Sequence, residues 1–196
     1  MVPAAVHYTA LAAALLVAAG LVREEVPRLT RALPESHRIS GVPLTQGRPD
    51  WCGPAALAAV LQYHGDEATA EELAGAIFLP GYRGTLNLDL LLWAKQRGFA
   101  AQAGPGTEAD LRQAVAADRP VICMVRRRDP VADRNHFVVV QGYDDARRVW
   151  WVDGGSGRVG EVPMSDFARD WEDCGRWLLV IEGRQAKQER VTPDDR

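Results

Sequence analysis

The sequence predicts an α+β domain in which helices come first and an antiparallel sheet follows. Three observations predict it. Between residues 52 and 118 apolar residues recur at three- and four-residue intervals, the repeat of a helix with one buried face. From Val121 to Gly183 the repeat falls to two or to short apolar runs, as in strands. Helix-start signals, Thr69 with Glu72 and Thr107 with Asp110, fall in the first part. The hairpin turns "DDAR" and "GGSG" fall in the second.

The first helix follows Cys52. Leu57, Val60, Leu61 and His64 form one stripe, Pro54 suits a first turn and Gly65 a stop. The second helix is "TAEELAGAIF", opened by a Thr69/Glu72 capping box. The third is "NLDLLLWAKQRG", ending at Gly98, and the fourth is "TEADLRQAVAAD". Strands are then expected at Val121–Val125, Asn135–Tyr143 and Arg148–Asp153, and in "GRVGEVP" and "RWLLVIEG". A short helix, "MSDFARDWE", lies between the last two. Trp150 and Trp151 fall on opposite strand faces, so at least one belongs to the core.

The chain has 196 residues, 47% hydrophobic and 25% charged, with a net charge of −3. That suits one soluble folded domain and gives no basic field for nucleic acid. Residues 1–38 read as an apolar segment and a linker, 39–183 as the folded domain, and 184–196 as a polar tail. Met1–Val22 carries no charged side chain. As a helix it would reach about 33 Å, roughly the thickness of a bilayer core. A membrane anchor or an export signal is expected there, with the domain displayed outside the cytoplasm; the competing reading is a helix packed on protein. The linker "REEVPRLTRALPESHRIS" holds a short helix from Pro27 to Leu33. Cys52, Cys123 and Cys174 are far apart and lack a CxxC, which disfavours a zinc site. Cys123 and Cys174 are free to pair in an oxidising compartment, leaving Cys52 as a thiol.

Cys52 opens an apolar helix, where unpaired N–H groups and the helix dipole stabilise a thiolate. A nucleophile and a small buried hydrophobe are both compatible with that position. Of the four histidines, His7 lies in the apolar segment, His37 in the linker and His64 at a helix end. His136 opens a strand, and strand ends border clefts. With a turn centred on Asp144/Asp145, His136 falls opposite Asp153; centred one residue later, it falls opposite Gly155. Both registers put His136 and Asp153 on one face, with Cβ atoms about 5–7 Å apart. Asp153 can then orient the imidazole, its competitor role being that of a turn residue before "GGSG". Asn135 points to the other face. Gln46, six residues before Cys52, can form an oxyanion hole with the Cys52 backbone N–H.

Together, Q-x5-C-G-P-A-A-L from Gln46, "HFVVVQGY" from His136 and "VWWVDGGSG" ending at Gly157 resemble the papain-like peptidases that process bacteriocin leaders, the double-glycine peptidases. The resemblance spans about Ile39–Gly183. It implies a papain-like α+β fold, with the nucleophile helix packed on an antiparallel sheet. It also implies a site of Gln46 for the oxyanion, Cys52 as nucleophile, His136 as base and Asp153 as its orienter. The implied activity is peptide hydrolysis through a thioester, with a peptide or protein substrate and no metal or organic cofactor. An amidase or transpeptidase acting on cell-wall or secreted peptides, and an inactive peptide-binding domain, are the alternatives. Gly154 stands where the family usually has proline. The chain has no P-loop motif, so a stand-alone form is expected and the double-glycine substrate does not carry over. Trp51 and Tyr82 are expected to narrow the cleft and favour small residues before the cut. "RRRDPVADRN" reads as a solvated loop that is also placed to line the cleft.

Overall fold

The computed structural model describes residues 32–45, 48, 50–128 and 133–184. The elements are β1 (Ser36–Arg38), α1 (Cys52–Tyr63), α2 (Ala70–Ile77), α3 (Asn87–Gln96), β2 (Phe99–Pro105), α4 (Glu108–Ala116), β3 (Val121–Arg127), β4 (Arg134–Asp144), β5 (Val149–Asp153), β6 (Val159–Pro163), α5 (Met164–Glu172) and β7 (Trp177–Arg184). The strands form one seven-stranded antiparallel sheet in the order β2-β7-β3-β4-β5-β6, with β1 on the far end of β4. All the predicted helices and strands of the folded domain appear. The predicted helix at Pro27–Leu33 and the apolar segment Met1–Val22 lie outside the described residues, apart from Ala32 and Leu33, which are irregular and exposed.

The continuous apolar run of β4 is explained by burial on both faces. Phe137 and Val139 join Leu57, Leu61, Leu73 and Leu90 in a core under α1, α2 and α3. Val138 and Val140 join Leu111, Phe167 and Trp171 in a second core under α4 and α5. Strands covered on both sides lose the alternation of apolar and polar residues. Each fully buried leucine or phenylalanine contributes about 1.5–3 kcal/mol. Trp150 is fully buried, whereas Trp151 is half-buried, bonds Glu161 and carries Arg38 over its ring.

Two strands were not expected. β1 comes from the stretch read as linker: it pairs Ser36–Arg38 with Asp144–Gly142, and Tyr143 Oη donates to Pro34 O. β2 is mostly alanine and glycine and lacks a strand signature. It is a strand because it lies along β7 through a bulge near Ala101, with Phe99 and Ala101 in the first core. The α4 start carries the complete capping box of Thr107 and Asp110. At α2 only half of the expected box forms. Thr69 Oγ1 accepts from Glu72 N, but the Glu72 carboxylate takes Arg97 at 2.9 Å. Arg97 and Arg184 both close on the buried carboxylate of Asp66, tying the end of α1 to α3 and to the end of β7.

Candidate active site

Cys52 occupies the first turn of α1. That turn has no side-chain cap and no acidic residue, so its N–H groups are not claimed by a capping side chain. The approach is set by Asp50, which takes a left-handed backbone (φ 73°). Its carboxylate holds Arg83 at 2.9 Å and Arg134 at 3.5 Å, linking the loop before α3 to the start of β4. Gly53 allows that loop to close on α1: a Cβ there would stand 3.0 Å from Thr85 Cβ and 3.3 Å from Phe137 Cδ2. The result is a cleft of about 860 Å3, lined among others by Cys52, His136, Thr45, Tyr82 and Gly154.

The helix start does not lower the pKa of Cys52 as expected. Burial pushes the thiol above its ordinary value, and the charge of Asp50 adds to that. Main-chain N–H groups of Phe137, Gly53 and Cys52 act in the opposite direction without winning. Desolvation of a thiolate outweighs the dipole at a site this enclosed. Burial likewise holds His136 below the usual histidine value; Arg127 lowers it further, and the Gly154 carbonyl and Asp153 oppose the shift. Both shifts favour the neutral thiol and the neutral imidazole.

The His136 ring is hydrogen-bonded to a main-chain group. His136 Nε2 lies 2.9 Å from Gly154 O. A carbonyl only accepts, so Nε2 carries the proton and Nδ1 the lone pair. The expected facing of His136 and Asp153 is corrected. The β4–β5 turn holds four residues, closing Asp144 on Val149 with Arg148 at φ 57°, and an irregularity at Gln141 shifts the register once more. Asp153 consequently pairs with Val139. Val139 lies three residues along β4 from His136, so Asp153 is not the direct cross-strand partner of the histidine. The fully buried Asp153 carboxylate accepts from Thr45 N (2.6 Å) and Gly155 N (2.9 Å). It thus fixes the loop whose carbonyl holds the imidazole, and anchors the segment entering Gln46.

Gln46 itself lies outside the described residues. Tyr82 lines the cleft and is 62% exposed. Trp51 does not line it: the ring packs on Phe78 at 6.4 Å and carries the Arg48 guanidinium at 4.9 Å. The narrow entry expected from two aromatics therefore has one. Asn135 accepts from the Cys174 thiol at 3.6 Å. The thiols of Cys52, Cys123 and Cys174 are all free, so the possible Cys123–Cys174 pair is not formed. Among the described residues no group of side chains is arranged to hold a metal ion.

Residue reasoning missed the ionic link of Asp50 to Arg83 and Arg134, although all three lie in stretches expected at the cleft, and it missed the Gly154 carbonyl. The first three are polar loop and strand-end residues with no spacing signal. The carbonyl is invisible to side-chain patterns, although the departure to glycine at 154 marked the place.

The Peptidase_C39 like family matches residues 37–177. No curated protein matches the chain. Among solved structures, a protein from Bacillus anthracis assigned as a C39-like peptidase is 22% identical, with a TM-score of 0.62 over 78% of this chain and 100% of that one. The peptidase domain of Streptococcus ComA, a bifunctional ABC transporter of a quorum-sensing pathway, is 19% identical, with a TM-score of 0.58 over 74% and 100%. A double-glycine-motif protease from an AMS/PCAT transporter, solved with its leader peptide, is 20% identical, with a TM-score of 0.57 over 74% and 96%. At these identities the likeness establishes the fold, which is papain-like.

Proposed function

Since the chain belongs to the Peptidase_C39 like family and is a cysteine-type peptidase, we propose that it cleaves peptides with Cys52 as nucleophile and His136 as base. The observation that carries this reading is Cys52 at an uncapped helix start, lining one cleft with a histidine whose Nε2–H is committed to Gly154 O. Nδ1 is then the nitrogen left to take the thiol proton as Sγ attacks the peptide carbonyl. The Gln46 amide and the Cys52 backbone N–H receive the developing oxyanion. Collapse expels the amine, which leaves with the proton from His136, and a thioester remains on Cys52. Water, deprotonated by the same imidazole, hydrolyses it. Asp153 acts at one remove, through the Gly155 and Thr45 N–H groups and through its charge. A peptide substrate is in keeping with the related protease bound to a leader peptide.

The experiment is acyl-enzyme trapping. Wild-type chain is mixed with a peptide pool, quenched in acid and analysed by mass spectrometry. A peptidyl adduct on Cys52, absent from Cys52→Ala, is the expected result. Cleavage that persists in Cys52→Ala overturns the assignment.

We also propose that the domain works outside the cytoplasm, on the strength of the uncharged Met1–Val22. Among the described residues no helix is long and apolar enough to cross a membrane. Reporter fusions after Gly183 test this: activity of a cytoplasm-only reporter would refute it.

A further inference from the structure

Charge is distributed unevenly between this cleft and the rest of the chain. The chain carries a net charge of −3. Among the described residues the cleft is lined by five arginines, Arg48, Arg83, Arg126, Arg127 and Arg134, against one carboxylate, Asp50. Asp50 is shared by Arg83 and Arg134. Among the described residues Arg48, Arg126 and Arg127 have no carboxylate partner. Arg48 and Arg83 come from the segments before α1 and before α3; Arg126 and Arg127 come from the end of β3, across the cleft. The run of three arginines is divided by the fold. Arg128 leaves the cleft for Asp170 and Asp173, at 3.3 and 2.6 Å. Its two predecessors stay at the cleft, contrary to a wholly solvated loop. Holding several guanidinium groups together costs free energy through mutual repulsion, and an anionic ligand offsets it. Guanidinium forks fit carboxylates with two parallel hydrogen bonds.

We infer that the substrate is an acidic peptide, with Asp or Glu side chains beside the scissile bond received by Arg48 on one wall and by Arg126 and Arg127 on the other. The inference deepens the peptidase reading and rests on its cleft. Binding is measured on the Cys52→Ala chain, so that failure of cleavage and failure of the charge preference are distinguishable.

The test uses full-length Cys52→Ala and fluorescein-labelled peptides matched in every position except that Glu is replaced by Gln or Lys. Anisotropy reads binding at two salt concentrations. The Glu peptide is expected to bind roughly 5- to 10-fold tighter than the Gln peptide, the Lys peptide weakest, and the gap to narrow with salt. Arg126→Gln with Arg127→Gln brings the Glu peptide close to the Gln peptide. Arg126→Lys with Arg127→Lys, which keeps the charge, retains part of the gap and controls for folding. Arg128→Gln leaves the gap intact. Equal binding of Glu and Gln peptides overturns the inference, as does a gap that survives the double glutamine variant. A single-stranded oligonucleotide of equal charge that binds as well as the Glu peptide also overturns it, since the cleft is then a general anion sink. If the preference holds but wild-type enzyme cuts none of the peptides, the peptidase reading fails and the acidic-ligand cleft stands.

Discussion

Cys52 and His136 are both shifted toward their neutral forms, and that has kinetic consequences. A thiol whose pKa lies above the ordinary 9.0 has little thiolate at neutral pH. Iodoacetamide labelling of Cys52 is therefore expected to keep accelerating as pH rises past 9; a plateau near pH 7 would mean a preformed thiolate–imidazolium pair. Cys52 should still label before Cys174 and Cys123, because those two are buried and Cys123 is fully enclosed, its thiol raised by desolvation. Protonated His136 cannot act as base, so kcat/KM falls as pH drops through its pKa. That pKa lies below 6.5, and the acid limb should too. Asp153 raises it and Arg127 lowers it. Asp153→Asn should move the limb to lower pH and Arg127→Gln to higher pH, read from the pH profile on one peptide. Asp153→Asn should also cost about 1–3 kcal/mol of stability, since an amide accepts on one side only while the carboxylate serves two N–H groups, that of Thr45 being buried. A limb that does not move in either variant removes the electrostatic role of both.

Among the elements, α1 carries the chemistry and its second residue shows how tightly it is fitted. Alanine suits a helix better than glycine by about 1 kcal/mol. At Gly53 the added methyl would press on Thr85 and Phe137. Gly53→Ala is expected to destabilise by about 1–3 kcal/mol overall and to lower kcat/KM, because the loop bearing Tyr82 and Arg83 must back away. A rise in melting temperature would show that the loop yields freely. The capping box at α4 is a contrasting case. Thr107→Ala should cost about 1 kcal/mol, by thermal denaturation, and leave kcat/KM unchanged.

At the scale of the molecule, the compact unit begins at Leu33, before the strand that completes β4. A chain truncated to start at Ile39 loses three strand pairings, the Tyr143–Pro34 hydrogen bond and the bond from Asp145 N to Glu35 O. It also loses the His37–Asp118 contact that ties β1 to the end of α4. Compared with a chain starting at Leu33, it should melt several degrees lower and expose Tyr143, seen as increased fluorescence quenching by acrylamide. Equal melting temperatures would make β1 an ornament of the sheet.

The sequence alone determined the order of helices and strands, because apolar period and capping residues act over a few positions. It determined Cys52 at a helix start and His136 at a strand end, since both are local placements. It did not determine β1 or β2, whose strand character comes from partners far along the chain. Nor did it determine how Asp153 acts. A turn centred further along, on Ala146/Arg147, and one irregularity at Gln141 were enough to take that carboxylate out of register with His136 and to the main chain of Thr45 and Gly155. Side chains alternate with period two, so a single-residue slip reverses a face. The pKa values of Cys52 and His136 and the sorting of the three arginines were likewise decided by tertiary structure, because desolvation and charge depend on what the fold packs around a group and not on its neighbours in sequence.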